Sequence, residues 1–147
     1  MEKETYSVLV VDDSEDDRFF MRNVLHRFPR FKLIGEMCDG EDAILYLSGR
    51  DKFRDRAQYP LPDLMLLDLK MPRKTGFDVL EWLRTRSFPG LTVIVLSSSP
   101  LAEDVGASLS LGAHGFWTKT SDPKKQNQIV HEVEAILDKR WTSSCLR

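Results

Sequence analysis

Apolar residues in this chain fall into short blocks, and most blocks end on a polar group. Tyr6–Val11 (YSVLVV) is a β-rich run that ends on two acids, Asp12 and Asp13. Ser14 then offers an N-cap with Asp17 three residues on, a capping-box-like helix start. Phe20, Val24 and Phe28 follow at four-residue spacing, predicting one face of a helix that stops at Pro29. Phe31–Met37 reads as a second strand, and Gly40 opens a second helix through Ile44 and Leu47. The run Leu64–Asp68 (LMLLD) is apolar until its closing carboxylate, as expected of a short strand buried on both faces. A Met71-Pro72 turn and Gly76 lead into a third helix with an apolar face of Phe77, Leu80 and Leu83.

The same alternation continues to the C-terminus. Thr92–Leu96 is a strand that ends on three hydroxyls, Ser97, Ser98 and Ser99. Leu101–Leu111 is a helix rich in Ala, Ser and Gly. Its thin apolar face of Val105 and Leu109 predicts one of the more mobile elements. Gly115–Thr118 is a brief fifth strand followed by Lys119. The last helix carries Ile129, Val133, Ile136, Leu137 and Trp141, and Thr142–Arg147 reads as a disordered tail. Strands alternating with helices imply right-handed crossovers and a parallel sheet, an α/β fold without internal repeats. One segment interrupts the rhythm: Ser48–Pro62 (SGRDKFRDRAQYPLP) mixes charges with two prolines. It reads as an exposed connection with a solvated, charged face.

Composition narrows the function classes. With 147 residues the chain suits one domain with a full core, whose ordered part is expected over about residues 6–140. The net charge of −2 leaves no basic footprint for nucleic acid, and no apolar stretch is long enough to span a bilayer. The start, MEKETYSVLVV, is acidic before its apolar run, unlike a secretion signal. Cys38 and Cys145 form no metal or redox spacing, and Cys38 reads as a small buried hydrophobe in a reducing, cytoplasmic setting. His26, His114 and His131 share no ligand spacing. Trp82 and Trp141 read as packing residues, with a dimer anchor the alternative for Trp141.

The polar block ends are where chemistry is expected. In a parallel sheet the strand ends share one edge, which brings Asp12, Asp13, Asp68, Ser97 and Lys119 into a shallow cleft. Three carboxylates repel one another and call for a cation. All-oxygen ligation without Cys or His points to a hard ion, Mg²⁺ or Mn²⁺. A lysine and a hydroxyl beside that ion are suited to an incoming anion, and phosphoryl transfer needs this combination of positioning and charge neutralisation. Asp68 is the best nucleophile, since Asp12 and Asp13 come as a pair suited to metal ligation. The bland alternative is that Asp68 merely starts a loop.

The motifs VVDDSEDD, LLDLKMP with Gly76, VLSSS and GAHGFWTK resemble the receiver domain of two-component response regulators, in order and spacing from Tyr6 to about Arg140. The resemblance implies a flavodoxin-like (βα)5 doubly wound sheet of strand order 2-1-3-4-5. It makes Asp68 the phosphoacceptor, Asp12 and Asp13 the Mg²⁺-holding acid pair, and the Lys70 carbonyl a further metal ligand. Ser97 becomes the switch hydroxyl, Phe116 the switch aromatic and Lys119 the phosphate-binding lysine. Lys70 and Ser99 take the two variable positions that tune self-hydrolysis. The implied function is a single-domain phosphoacceptor rather than a turnover enzyme. It takes its phosphoryl group from a sensor histidine kinase or phosphotransfer protein and signals through a protein partner or by forming a homodimer. The Ser48–Pro62 insertion is similar to regulators that partner phytochrome-type kinases.

One departure stands out. Thr120 follows Lys119 where the family has a proline in a cis bond. A cis bond before a non-proline residue costs about 3–4 kcal/mol, so Lys119–Thr120 is expected to be trans. Two other functions stay open: a scaffold that never takes phosphate, and a haloacid-dehalogenase-like phosphatase. The second is disfavoured because none of Asp12, Asp13 and Asp68 has a second Asp two residues on.

Overall fold

The computed structural model describes residues 3–98 and 101–145. Its strands are β1 (Tyr6–Val11), β2 (Phe31–Met37), β3 (Leu64–Leu67), β4 (Thr92–Ser97) and β5 (Gly115–Thr118). The helices are α1 (Glu15–His26), α2 (Gly40–Ser48), α3 (Gly76–Arg84), α4 (Ala102–Ser110) and α5 (Pro123–Cys145), with a 3₁₀ turn at Asp51–Phe53. All ladders are parallel and the strand order is β2-β1-β3-β4-β5, as expected. Among the described residues no helix is long and apolar enough to cross a membrane.

Side-chain alternation along the central strands builds two apolar layers. Leu9, Val11, Met65, Leu67, Val93 and Val95 face α2 and α3, meeting Ala43, Leu47, Val79 and Leu80. Val8, Val10, Leu64, Leu66 and Ile94 face the other way, onto Leu25 of α1 and Val130, Val133 and Leu137 of α5. Burial on both faces is why β1 and β3 read as unbroken apolar runs. The rigid centre of the sheet therefore ends directly beneath its polar carboxyl edge.

Helix ends follow local chemistry. Ser14 accepts from the Asp17 amide, Asp39 from that of Asp42, and Thr75 forms a full capping box with Asp78. Helix α4 is as thinly packed as its sequence implies: its one buried residue is Ser108, and Leu109 is 46% exposed.

Several sequence expectations need correction. Of the tail expected from Thr142, the part as far as Cys145 is helical as the end of α5, since Thr142, Ser143 and Ser144 include no proline or glycine to stop it; Leu146 and Arg147 lie outside the described residues. Phe20 does not join the core with Val24 and Phe28. It is 58% exposed at the rim of a cavity of about 280 Å³ between α1 and α5. Cys38 is exposed, since it lies in the turn after β2 and outside the sheet. The Ser48–Pro62 connection is packed as well as charged. Phe53 is buried against Tyr46 and Tyr59, and the Arg56 guanidinium donates to the Tyr46 and Leu47 carbonyls at 2.8 and 2.7 Å. Arg56 thus closes the C-terminus of α2, where free carbonyls and the helix dipole favour a cation.

Candidate functional site

The sheet ladder itself aims the site residues. Beyond the last pairs of the central strands, the Asp68 amide donates to the Val11 carbonyl at 2.9 Å and the Asp12 amide to Met37 at 3.0 Å. The Lys119 amide donates to Ser97 at 2.9 Å. Each side chain is thereby held at the carboxyl edge. Gly76 sits under the same edge: a Cβ there would lie 2.3 Å from the Asp68 carbonyl oxygen. Only glycine permits that approach.

Carboxylate oxygens of Asp12, Asp13 and Asp68 lie within 4.8 Å of one another. Asp12 is fully buried, Asp68 is 6% exposed, and Asp13 faces solvent. The Ser14 amide donates to Asp12 Oδ1 at 2.9 Å, and Arg18 donates to the Asp12 carbonyl at 2.7 Å. The Lys119 ammonium lies 2.7 Å from Asp12 Oδ2, 2.8 Å from Asp17 Oδ2 and 3.5 Å from Asp68 Oδ1. One ammonium therefore serves three carboxylates, with Asp13 close beside them.

Electrostatics follow from that imbalance. Burial raises the Asp68 pKa to about 6; Lys119 opposes the rise, while Asp12 and Asp13 add to it. Burial alone would lower the Lys119 pKa, but its bonds to Asp12 and Asp17 and its attraction to Asp68 carry it to about 12. The lysine stays charged while the central carboxylate is destabilised. Clustered oxygens with one acid fully buried, and too little positive charge among them, fit a hard divalent cation.

Ser97 is buried at the end of β4, and half-buried Phe116 of β5 pairs with Val95 of β4 and packs on the α2–α3 side of the sheet. Lys70 is exposed in the loop after β3, and Ser99 lies outside the described residues. Every peptide bond among the described residues is trans, including Lys119–Thr120. Without proline, this loop is ordered by side chains: Thr120 Oγ1 accepts from the Asp122 amide at 3.1 Å, and Gln126 donates to the Thr120 carbonyl at 2.8 Å.

Two contributors escaped the sequence reading. Asp17 was legible as a helix-start residue and does make that contact through its amide. Its carboxylate turns to Lys119 instead, and its place in the first turn of a helix springing from the site is the signal that was available. The second is a clamp on the β3–α3 loop. The Gly40 amide donates to the Lys74 carbonyl at 3.0 Å, and a Cβ at Gly40 would lie 2.4 Å from that oxygen. Arg73, at φ 64°, forms an ion pair with buried Asp39 and approaches Asp42 at 3.9 Å. Cys38, Asp39 and Asp42 also cluster closely enough for metal ligation, but the Arg73 guanidinium already pairs with the buried acid of this group.

The known proteins similar to this chain share this architecture. The model of the response regulator receiver domain matches residues 8–132. The response regulator Rcp1 of Synechocystis is 29% identical over 130 residues, covering 88% of this chain and 86% of Rcp1. The nitrate/nitrite regulator NarL of Escherichia coli K12 is 31% identical over 133 residues, 90% of this chain, which spans only 56% of NarL. Among solved structures, a response regulator in red light signalling of R. palustris superposes with a TM-score of 0.77 at 31% identity, over 87% of this chain and 90% of that one. The phosphorylated cyanobacterial phytochrome response regulator RcpA gives 0.76 at 27% identity, over 88% and 91%. The Mn²⁺-bound form of Rcp1 gives 0.75 at 30%, over 88% and 92%. With its parallel sheet, its edge of acids and its matched span, the chain belongs to the response regulator receiver domain family.

Proposed function

We propose that this receiver domain accepts a phosphoryl group on Asp68 and signals through a phosphorylation-dependent protein–protein contact. The observation that carries the reading is the Asp68 carboxylate, held rigidly at the end of the central strand between the buried acid Asp12 and the ammonium of Lys119. With a pKa of about 6, Asp68 is mostly ionised at neutral pH and available as a nucleophile. Its Oδ attacks phosphorus, the bond from phosphorus to the donor's imidazole nitrogen breaks with its electron pair going to that nitrogen, and the imidazole leaves neutral because its other ring nitrogen carries a proton. Mg²⁺ held by Asp12, Asp13, Asp68 and the Lys70 carbonyl would supply the charge neutralisation that this transfer requires. Lys119 faces the phosphoryl oxygens from the other side, and Ser97 donates a hydrogen bond to one of them. Two similar solved structures, a Mn²⁺-bound Rcp1 and a CheX–CheY complex with BeF₃ and Mg²⁺, hold the same ligand classes.

The donor on this reading is a sensor histidine kinase, of phytochrome type given the red-light relatives, or a phosphotransfer protein, in the cytoplasm. The product is a signalling state, and dephosphorylation is slow self-hydrolysis rather than catalytic turnover. Ser97 drawn toward the phosphoryl group, with Phe116 turning after it, reshapes the surface of α4, β5 and α5. A two-state shift needs contacts that differ between the states, and loosely packed α4 can supply them. That surface docks the downstream protein partner or a second copy of the chain. The test is phosphotransfer from a phosphohistidine donor with Mg²⁺. Wild type is expected to gain an acid-stable, base-labile label and Asp68→Asn none; labelling of Asp68→Asn at the wild-type rate overturns the assignment, and an unlabelled wild type supports the scaffold alternative.

A further inference from the structure

We propose that Asp17 is a positioning residue that holds Lys119 away from the phosphoryl position and so lowers the affinity of the site for the group it receives. The inference rests on the phosphoacceptor reading and adds a residue that this reading does not use. A lysine ammonium has three N–H donors. Here two of its contacts are at full ion-pair distance, 2.7 Å to Asp12 and 2.8 Å to Asp17, whereas Asp68 is at 3.5 Å. The lysine therefore leans toward α1 and away from the carboxylate beside which an incoming phosphoryl group must sit.

Asp17 has no part in the metal-type cluster, which consists of Asp12, Asp13 and Asp68. Among the ion pairs of the described residues, its carboxylate reaches the site through Lys119 alone. The helix start fixes its position: the Asp17 amide is bound by Ser14 Oγ at 3.2 Å, and the first-turn acids are favoured by the helix dipole. The Asp17 side chain is 38% exposed, while Asp12 is wholly buried. With Asp17 partly exposed, this pair is weaker than the one to buried Asp12, so a phosphoryl oxygen takes the ammonium more readily from Asp17 than from Asp12. After the exchange, Asp17 remains as an uncompensated negative charge near the phosphoryl oxygens. Competition before binding and repulsion after it act in the same direction.

The experiment measures beryllofluoride affinity with Mg²⁺ in excess, together with the rate of labelling by acetyl phosphate. Asp17→Asn is expected to bind beryllofluoride roughly two- to fivefold more tightly, the ratio that a partly exposed ion pair commands. Asp16→Asn makes the same charge change one residue away, on an exposed side chain that does not touch Lys119, and should leave the affinity near wild type. Asp17→Glu should restore the wild-type value. In a Lys119→Met background the effect of Asp17→Asn should largely vanish. Equal affinities for wild type and Asp17→Asn overturn the proposal, as does a full effect that persists without Lys119. Failure of wild type and every variant to take up beryllofluoride overturns the phosphoacceptor reading itself, and the proposal with it.

Discussion

Replacing Asp68 by Asn should stabilise the metal-free protein at neutral pH, and the size of the gain follows from its surroundings. Asp68 is 6% exposed, and burial is the largest cause of its raised pKa, with the charges of Asp12 and Asp13 adding to it against Lys119. Because the folded pKa lies above the unfolded one, folding favours the protonated form. The contribution of Asp68 is then intact below pH 4 and is lost as the pH rises through 6. The distance from 3.8 to about 6, at 1.36 kcal/mol per pH unit, gives about 3 kcal/mol of destabilisation above pH 7. Asn keeps the shape of the protonated acid and removes that cost. For a domain of 147 residues this corresponds to a melting temperature higher by roughly 6–12 °C. The assay is thermal unfolding by circular dichroism in chelator from pH 4 to 8. The gap between Asp68→Asn and wild type should open as the pH rises through 6 and close near pH 4. An unchanged or lower melting temperature at pH 7.5 would show that Asp68 is structurally satisfied as an anion and refute the reasoning.

Millimolar Mg²⁺ should raise the melting temperature of wild type more than that of Asp13→Ala or Asp68→Asn, and an equal rise in all three argues against these acids as ligands. Gly76→Ala should cost roughly 1–3 kcal/mol or more in urea unfolding and slow phosphorylation together, since the added methyl must push the Asp68 carbonyl aside; a neutral outcome means that the loop yields freely. Ser97→Ala should stay phosphorylatable while amide exchange in α4 and around Phe116 no longer responds to beryllofluoride. A wild-type response in that variant removes Ser97 from the signal route.

Much of the fold was legible because the central strands are buried on both faces, so β1, β3 and β4 stand out as apolar runs and their polar ends mark one edge. The metal-type acids were legible for the same reason, as the residues at which the β1 and β3 runs stop, and Lys119 as the residue that follows the short β5. What was not legible depends on where side chains turn once helices are placed. Asp17 caps a helix through its amide and reaches the site through its carboxylate, two roles that spacing cannot separate. Phe20 has the right period for the core but stops at the rim of the α1–α5 cavity. Arg56 reads as one charge in a solvated run, yet its guanidinium closes α2 because the chain doubles back over that helix end. The extra helical turn beyond Trp141 follows from residues of middling helix propensity, whose state is decided by the helix that they extend.

The most direct test of the central claim is to locate the phosphoryl group. The protein is incubated with acetyl phosphate and Mg²⁺, the acyl phosphate is reduced with borohydride, and the peptides are sequenced by mass spectrometry. Reduction is expected at Asp68 alone, which leaves homoserine at that position and unmodified acids at Asp12, Asp13 and Asp17. Homoserine at one of those other positions, or nowhere in a folded, Mg²⁺-saturated protein, would contradict it.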